Sequence, residues 1–141
     1  MELGLEGKKA IVCASSRGLG RGCALALAEE GVSVVINGVD KERVLRTADE
    51  IAARTSAEIT PIAADLDDPN GRAALLDACP DPDILINNNG GPPPGNFRDW
   101  GKEEWNAGLT ANLLAPTELI RATVDGMIQR GFGRIVNVTS I

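Results

Sequence analysis

The chain has 141 residues, 43% apolar, 24% charged and 3% aromatic, with no histidine or tyrosine and a net charge of −6 at pH 7. That length suffices for one domain with its own core, and the acidic balance argues against nucleic acid or an anionic membrane as partner, since both demand a basic surface. No apolar run reaches the roughly 20 residues of a membrane span, the opening MELGLEGKK lacks a signal-peptide core, and Cys13, Cys23 and Cys79 have no metal-ligand spacing, so they read as buried reduced thiols of a cytoplasmic protein with no metal site.

Ala10, Ile11, Val12 and Cys13 form an apolar run of the kind expected for a strand covered on both faces. Residues 14–20, ASSRGLG, read as a tight turn. Leu19, Gly22, Cys23, Ala26 and Leu27 then recur at i, i+3, i+4, i+7 and i+8, one face of a helix. Gly31 stands where a left-handed C-terminal cap is wanted. A strand-to-helix turn of this kind presents unpartnered N–H groups and the positive end of the helix dipole. Gly18 and Gly20 remove side chains that would hold a phosphate away, and Ser15, Ser16 and Arg17 add donors beside it.

Residues 32–36, VSVVI, form a second β-rich run, 37–39 a loop, and Asp40 the N-cap of a helix with Val44, Leu45, Ala48, Ile51 and Ala52 on one face. A third strand covers about 58–63, and Pro61 inside it marks a sheet edge. Asp68 and Pro69 open the next helix as cap and first residue, Leu75, Leu76 and Cys79 line it, and Pro80 and Pro82 end it. Ile84, Leu85 and Ile86 form a fourth buried strand that runs into Asn87-Asn88-Asn89-Gly90-Gly91. The stiff loop over 92–99 follows, its 92–95 part suggesting a rigid wall. A long helix is expected over about 103–130, with Leu109, Leu113, Thr117, Ile120, Val124 and Ile128 on one stripe. Pro116 lies inside it and has no N–H for the carbonyl of Asn112, which predicts a kink and a free carbonyl there. Gly131-Phe132-Gly133 stops that helix, and 134–139 form a fifth strand.

Strands alternating with helices imply a parallel sheet with right-handed crossovers. With the third strand at an edge, the order 3-2-1-4-5 of a Rossmann-like, doubly wound, three-layer α/β/α domain over residues 1–141 fits. Both glycine turns then fall at the carboxyl ends of strands one and four, where the order reverses and a dinucleotide lies.

Together these residues resemble the short-chain dehydrogenase/reductase family over essentially the whole chain, and in SSRGLGRG and GRIVNVTS its 3-oxoacyl-acyl-carrier-protein reductase branch. The family's Thr-Gly-x-x-x-Gly-x-Gly stands as Cys13-Ala14-x-x-x-Gly18-x-Gly20, and its Asn-Asn-Ala-Gly as Asn87-Asn88-Asn89-Gly90. The resemblance implies an oxidoreductase moving hydride between a nicotinamide and a carbonyl or alcohol, with a 3-oxoacyl thioester among the substrates to consider. It implies a homodimer or homotetramer, beside the charge balance that argues against a nucleic-acid or membrane partner. It carries cofactor contacts over to Ser15, Ser16, Arg17, Gly18, Leu19 and Gly20, to Gly38 and Val39 at the ribose, to Asp65 and Leu66 at the adenine, and to Asn88, Asn89 and Gly90 beyond. It makes Ser140 the catalytic serine and gives Asn112 a place in a proton relay through its backbone carbonyl and a water.

Position 38, where an acid marks NAD use in the family, is Gly38, and position 39, often Arg in NADP-dependent members, is Val39. Arg17 stands where basic residues accompany NADP, so the resemblance implies NADP, with NAD as the alternative. Three departures stand out. Ala14 replaces the first turn glycine, which is strained if that position needs positive φ. Asn89 replaces the family's alanine. The family's Tyr-x-x-x-Lys, which follows the serine, has no counterpart, and the C-terminal strands are missing with it. The chain therefore reads as part of a complete reductase, inactive alone; the alternative is a catalytically incompetent nucleotide-binding or interaction module.

Overall fold

The computed structural model describes residues 2–91 and 94–139. Strands β1 (Lys9–Val12), β2 (Ser33–Gly38), β3 (Ile59–Ala63), β4 (Ile84–Asn87) and β5 (Arg134–Asn137) alternate with helices α1 (Gly18–Glu29), α2 (Lys41–Arg54) and α3 (Pro69–Ala78), and then α4 (Lys102–Leu109) and α5 (Ala115–Arg130) between β4 and β5. The strands form one sheet in the order β3-β2-β1-β4-β5, every pair parallel. Ile11 of the central strand sits opposite Val35 on one side and Leu85 on the other. Pro61 lies on β3, an edge strand, where its missing N–H costs no ladder bond on the open side.

Because side chains alternate along a strand, the sheet feeds two cores. Ala10, Val12, Val34, Ile36, Ile84 and Ile86 pack against Ala24 and Ala28 of α1 and Val44, Ala48 and Ile51 of α2. Ile11, Cys13, Val35 and Leu85 pack on the other side against Leu75 of α3, Cys79, and Leu119 and Met127 of α5. The three-layer α/β/α architecture follows.

On α1, α2 and α5 the buried face includes small residues, and several large apolar residues beside it stay exposed. On α1 the buried line is Gly20, Ala24 and Ala28, while Leu19 is 70% exposed. On α2 it is Val44, Thr47, Ala48 and Ile51, with Leu45 and Ala52 exposed. The expected long helix is α4, a π turn at Thr110–Leu114, and α5. Its buried line is Ala111, Ala115, Leu119, Thr123 and Met127. Leu109, Leu113 and Ile128 of the stripe expected from hydropathy are 49%, 56% and 70% exposed. Alanine, glycine and threonine let a helix axis approach the sheet closely, so a ridge of small residues outcompetes a neighbouring ridge of leucines.

Local signals hold elsewhere. Gly31 and Gly131 have φ of 78° and 71° at helix ends. The Asp40 side chain accepts from the Arg43 N–H at 3.0 Å and that of Asp68 from the Asn70 N–H at 2.8 Å, each capping its helix. Strand β2 runs on through Gly38, which brings Asn37 into the sheet instead of a loop.

Candidate cofactor and active site

The backbone leaves β1 through a turn bracketed by two left-handed residues, Ala14 (φ 45°) and Gly18 (φ 56°). The position vacated by the family's glycine does require positive φ, and an alanine there carries a Cβ against the following carbonyl. Three hydrogen bonds hold Ala14 and its neighbour in place. The Ala14 N–H donates to Asn37 Oδ1 at 3.2 Å, the Ser15 N–H to the Asn37 carbonyl at 2.7 Å, and the Asn37 N–H to Ser15 Oγ at 2.9 Å. The Ser15 hydroxyl itself donates inward to the Val12 carbonyl at 2.6 Å and is fully buried. Its donor therefore belongs to the turn and faces away from the cleft.

Arg17 is the extended N-cap of α1 and makes no side-chain capping bond. The first N–H groups of α1 thus have no side-chain acceptor at their cap. The two turn glycines serve different ends. A Cβ on Gly18 would meet nothing within 4 Å, so its role is the positive φ and the open approach. A Cβ on Gly20 would run into the Ala14 carbonyl and lie 2.9 Å from Asn88 Nδ2, so Gly20 exists to let α1 start against the turn.

This turn forms one wall of a cleft of about 300 Å³ across the carboxyl ends of β1, β2, β3 and β4. Ser16 and Arg17 line one side, Gly38, Val39, Asp40 and Arg43 the next, and Asp65, Leu66, Asn89 and Gly90 the others. A Cβ at Gly38 would lie 2.7 Å from Ser16 Oγ and 2.9 Å from Val44 Cγ2, so any side chain there requires Ser16 and Val44 to shift. Leu19, exposed on the outer side of α1, is not among the residues that line the cleft. Asp65 accepts from the Asp67 N–H at 2.9 Å, and its backbone lies so close to α3 that a Cβ on Gly71 would collide with the Asp65 carbonyl. Leu66 is buried beneath the floor.

Two cations face this cleft, Arg17 and Arg43, and sequence reading found only the first. Arg43 Nη2 stands 3.4 Å from Asp40 Oδ2. The Arg43 N–H, and secondly the charges of Arg43 and Arg46, hold the Asp40 carboxyl below the usual range. Asp67 is pushed the other way by partial burial and then by the charge of Asp65. Gly71 and Asn37 were also missed, because a close approach and a buried amide leave no local pattern in the sequence. Asn37, 2% exposed, donates from Nδ2 to the carbonyls of Ile62 and Ala64 at 3.2 and 3.0 Å, and so ties the ends of β1, β2 and β3 together.

A second hollow of about 470 Å³ shares Asp67, Gly90 and Gly91 with the first and extends to Trp100, Glu104 and Ala111. The asparagine run organises this side. Asn87 Nδ2 donates to Asn137 Oδ1 at 2.8 Å, Asn88 Nδ2 to the Ala14 carbonyl at 3.5 Å, and Asn89 Nδ2 to the Ala111 carbonyl at 3.0 Å. The predicted break at Pro116 takes the form of the π turn: the Ala115 N–H reaches back five residues to the Thr110 carbonyl. The Asn112 side chain turns back to the Gly108 carbonyl at 3.0 Å. Ser140 lies outside the described residues, as do Pro92 and Pro93 of the expected wall. A larger hollow of about 700 Å³ sits at the amino-terminal ends of the strands, beside Glu2, Glu6, Glu29 and Glu30, and no helix N-terminus lines it. Among the described residues no helix is long and apolar enough to cross a membrane.

The model of the short chain dehydrogenase family matches residues 8–141. The chain belongs to that family. As a short-chain dehydrogenase it is 37% identical over 141 residues to the uncharacterized oxidoreductase YvaG of Bacillus subtilis, a match covering 99% of this chain and 53% of that protein. L-sorbose reductase from Gluconobacter frateurii, solved with NADPH and L-sorbose, superposes with a TM-score of 0.94 at 28% identity, covering all of this chain and 55% of that one. A metagenomic short-chain oxidoreductase solved with NADP matches at 34% identity and TM-score 0.86 over 97% of this chain and 64% of that one. The chain spans about half the length of the curated relatives it matches.

Proposed function

We propose that this chain carries the cofactor-binding part of an NADP-dependent oxidoreductase acting on a carbonyl or alcohol. The uncapped N-terminus of α1, opened by the left-handed pair Ala14 and Gly18 and flanked by Arg17 and Arg43, is the observation that supports it. Those N–H groups would hold the diphosphate, with Ser16, Arg17 and Arg43 toward a 2′-phosphate. Gly38 and Val39 put no acid at the two positions that set the ribose choice in the family, the neighbouring Asp40 being paired with Arg43; Asp65 and Leu66 would meet the adenine, and Asn88, Asn89 and Gly90 the other half. The bound dinucleotide would supply the hydride; the protein's share is to bind, orient and exclude water.

In the family the proton step belongs to a Tyr-x-x-x-Lys pair beyond the serine, and this chain has no tyrosine. Ser140 would hold the substrate oxygen and the Asn112 carbonyl a relay water, but the 141 residues alone would bind cofactor without turnover. A 3-oxoacyl thioester is the substrate class to try first, on the likeness to a solved 3-oxoacyl-acyl-carrier-protein reductase from Brucella melitensis at 29% identity. Exposed Leu109, Leu113 and Ile128 along α4, the π turn and α5 favour a homodimer or homotetramer, and these apolar residues also support the second reading, an interaction module.

Titration with NADPH and NADH, followed by energy transfer from Trp100 and Trp105, tests the assignment. Arg17→Ala is expected to weaken NADPH by about tenfold and NADH by much less, the difference being one charge-assisted contact. Equal losses would overturn the choice of NADP.

A further inference from the structure

A single proline removes one donor that either of two carbonyls could have used in the helix that carries Asn112. Pro116 has no N–H for the carbonyl four residues back, that of Asn112. In the π register set by the Ala115 N–H bonding the Thr110 carbonyl, it also has none for the carbonyl five back, that of Ala111. Since the Ala115 N–H is committed to Thr110, neither residue that could serve Ala111 from within the helix does so. Ala111 is 5% exposed, so water is a poor substitute. The Asn89 side chain fills the gap, its Nδ2 donating to the Ala111 carbonyl at 3.0 Å.

We infer that Asn89 is a positioning residue whose amide stands in for the N–H that Pro116 lacks and locks the π turn before Asn112 to the turn after β4. The lock joins the two elements that meet in the hollow beside Gly90, Gly91 and Ala111. It also explains the departure at position 89, since the family's alanine has no donor there. Its consequence for the Asn112 carbonyl rests on the relay reading given above; the bridge itself does not.

A double-mutant cycle on the 141-residue chain tests it. Asn89→Ala should lower the folding equilibrium constant about tenfold when Pro116 is present, because a buried carbonyl loses its donor. In the Pro116→Ala background a backbone N–H becomes available, and the same change should cost less than about twofold. Asn89→Asp, close in shape but without the donor at pH 7, should behave like Asn89→Ala and recover as the pH falls toward 4, where a protonated carboxyl donates again. The carbonyl ¹³C resonance of Ala111 should shift with Asn89→Ala and with Asn89→Asp.

Equal losses in both proline backgrounds, or an Ala111 resonance that does not move, would overturn the inference. So would a tenfold loss of NADPH affinity in Asn89→Ala with the Ala111 resonance unchanged, which would make Asn89 a cofactor ligand. The cycle is read from urea unfolding and NMR without cofactor. Failure of the unmutated chain to bind NADPH would therefore count against the proposed function alone.

Discussion

Replacing Asn37 by alanine should be among the most damaging single changes available outside the apolar core. The side chain makes three hydrogen bonds, from the Ala14 N–H and to the Ile62 and Ala64 carbonyls, and the residue is 2% exposed. Each such bond contributes about 1 kcal/mol net, and leaving its partner without water costs about 1–3 kcal/mol more. Allowing for partial rehydration at the strand ends, the expected loss is about 2–4 kcal/mol, a large share of the roughly 5–15 kcal/mol that keeps a domain folded.

Urea unfolding reads this directly, as a midpoint lowered by about 1–2 M with the slope unchanged. Asn37→Asp separates the bonds from the packing. It keeps the acceptor for Ala14 but turns a carboxylate toward two carbonyls, so its folded pKa is raised. Its stability should therefore improve as pH falls through that raised value, while Asn37→Ala stays flat. Because the same amide holds Ala14, both variants should also weaken dinucleotide binding. A loss below about 0.5 kcal/mol for Asn37→Ala, within the range of ordinary surface substitutions, would refute the reasoning.

Ala14→Gly should raise stability by about 1 kcal/mol, since φ of 45° strains alanine more than glycine's extra unfolded-state entropy costs; an unchanged or lower urea midpoint would contradict this. Gly38→Asp should lose about 1–3 kcal/mol, because its Cβ would meet Ser16 Oγ and Val44 Cγ2, and should lower NADPH affinity more than NADH affinity in parallel titrations. Burial pushes the Cys13 thiol up to about 12 from 9.0, so iodoacetamide at pH 8 should leave it unmodified in the folded chain and alkylate it in urea. A folded pKa above the unfolded one means that this contribution is complete below pH 9 and is lost as pH rises toward about 12, which a urea series across that range would show.

Much of this protein is written in short-range pattern. Alternating apolar runs and caps determined the five strands, the helices between them and the sheet order, because each signal is local: a proline demoting β3 to an edge, Asp40 and Asp68 closing helix starts, Gly31 ending one. The motif positions after β1 and β4 also fall at the carboxyl ends of the strands, since a turn after a parallel strand has nowhere else to go. Tertiary structure decided what depends on how closely two segments approach. It chose Ala24, Ala28, Ala111 and Ala115 over Leu19, Leu109 and Leu113 for the buried faces. It turned the Ser15 hydroxyl inward, drew Asn37 into the sheet, and converted a proline's missing N–H into a π turn bridged by Asn89. Hydropathy measures each side chain against water, whereas these choices rest on the space left between backbones and on donors supplied from residues far away in the chain.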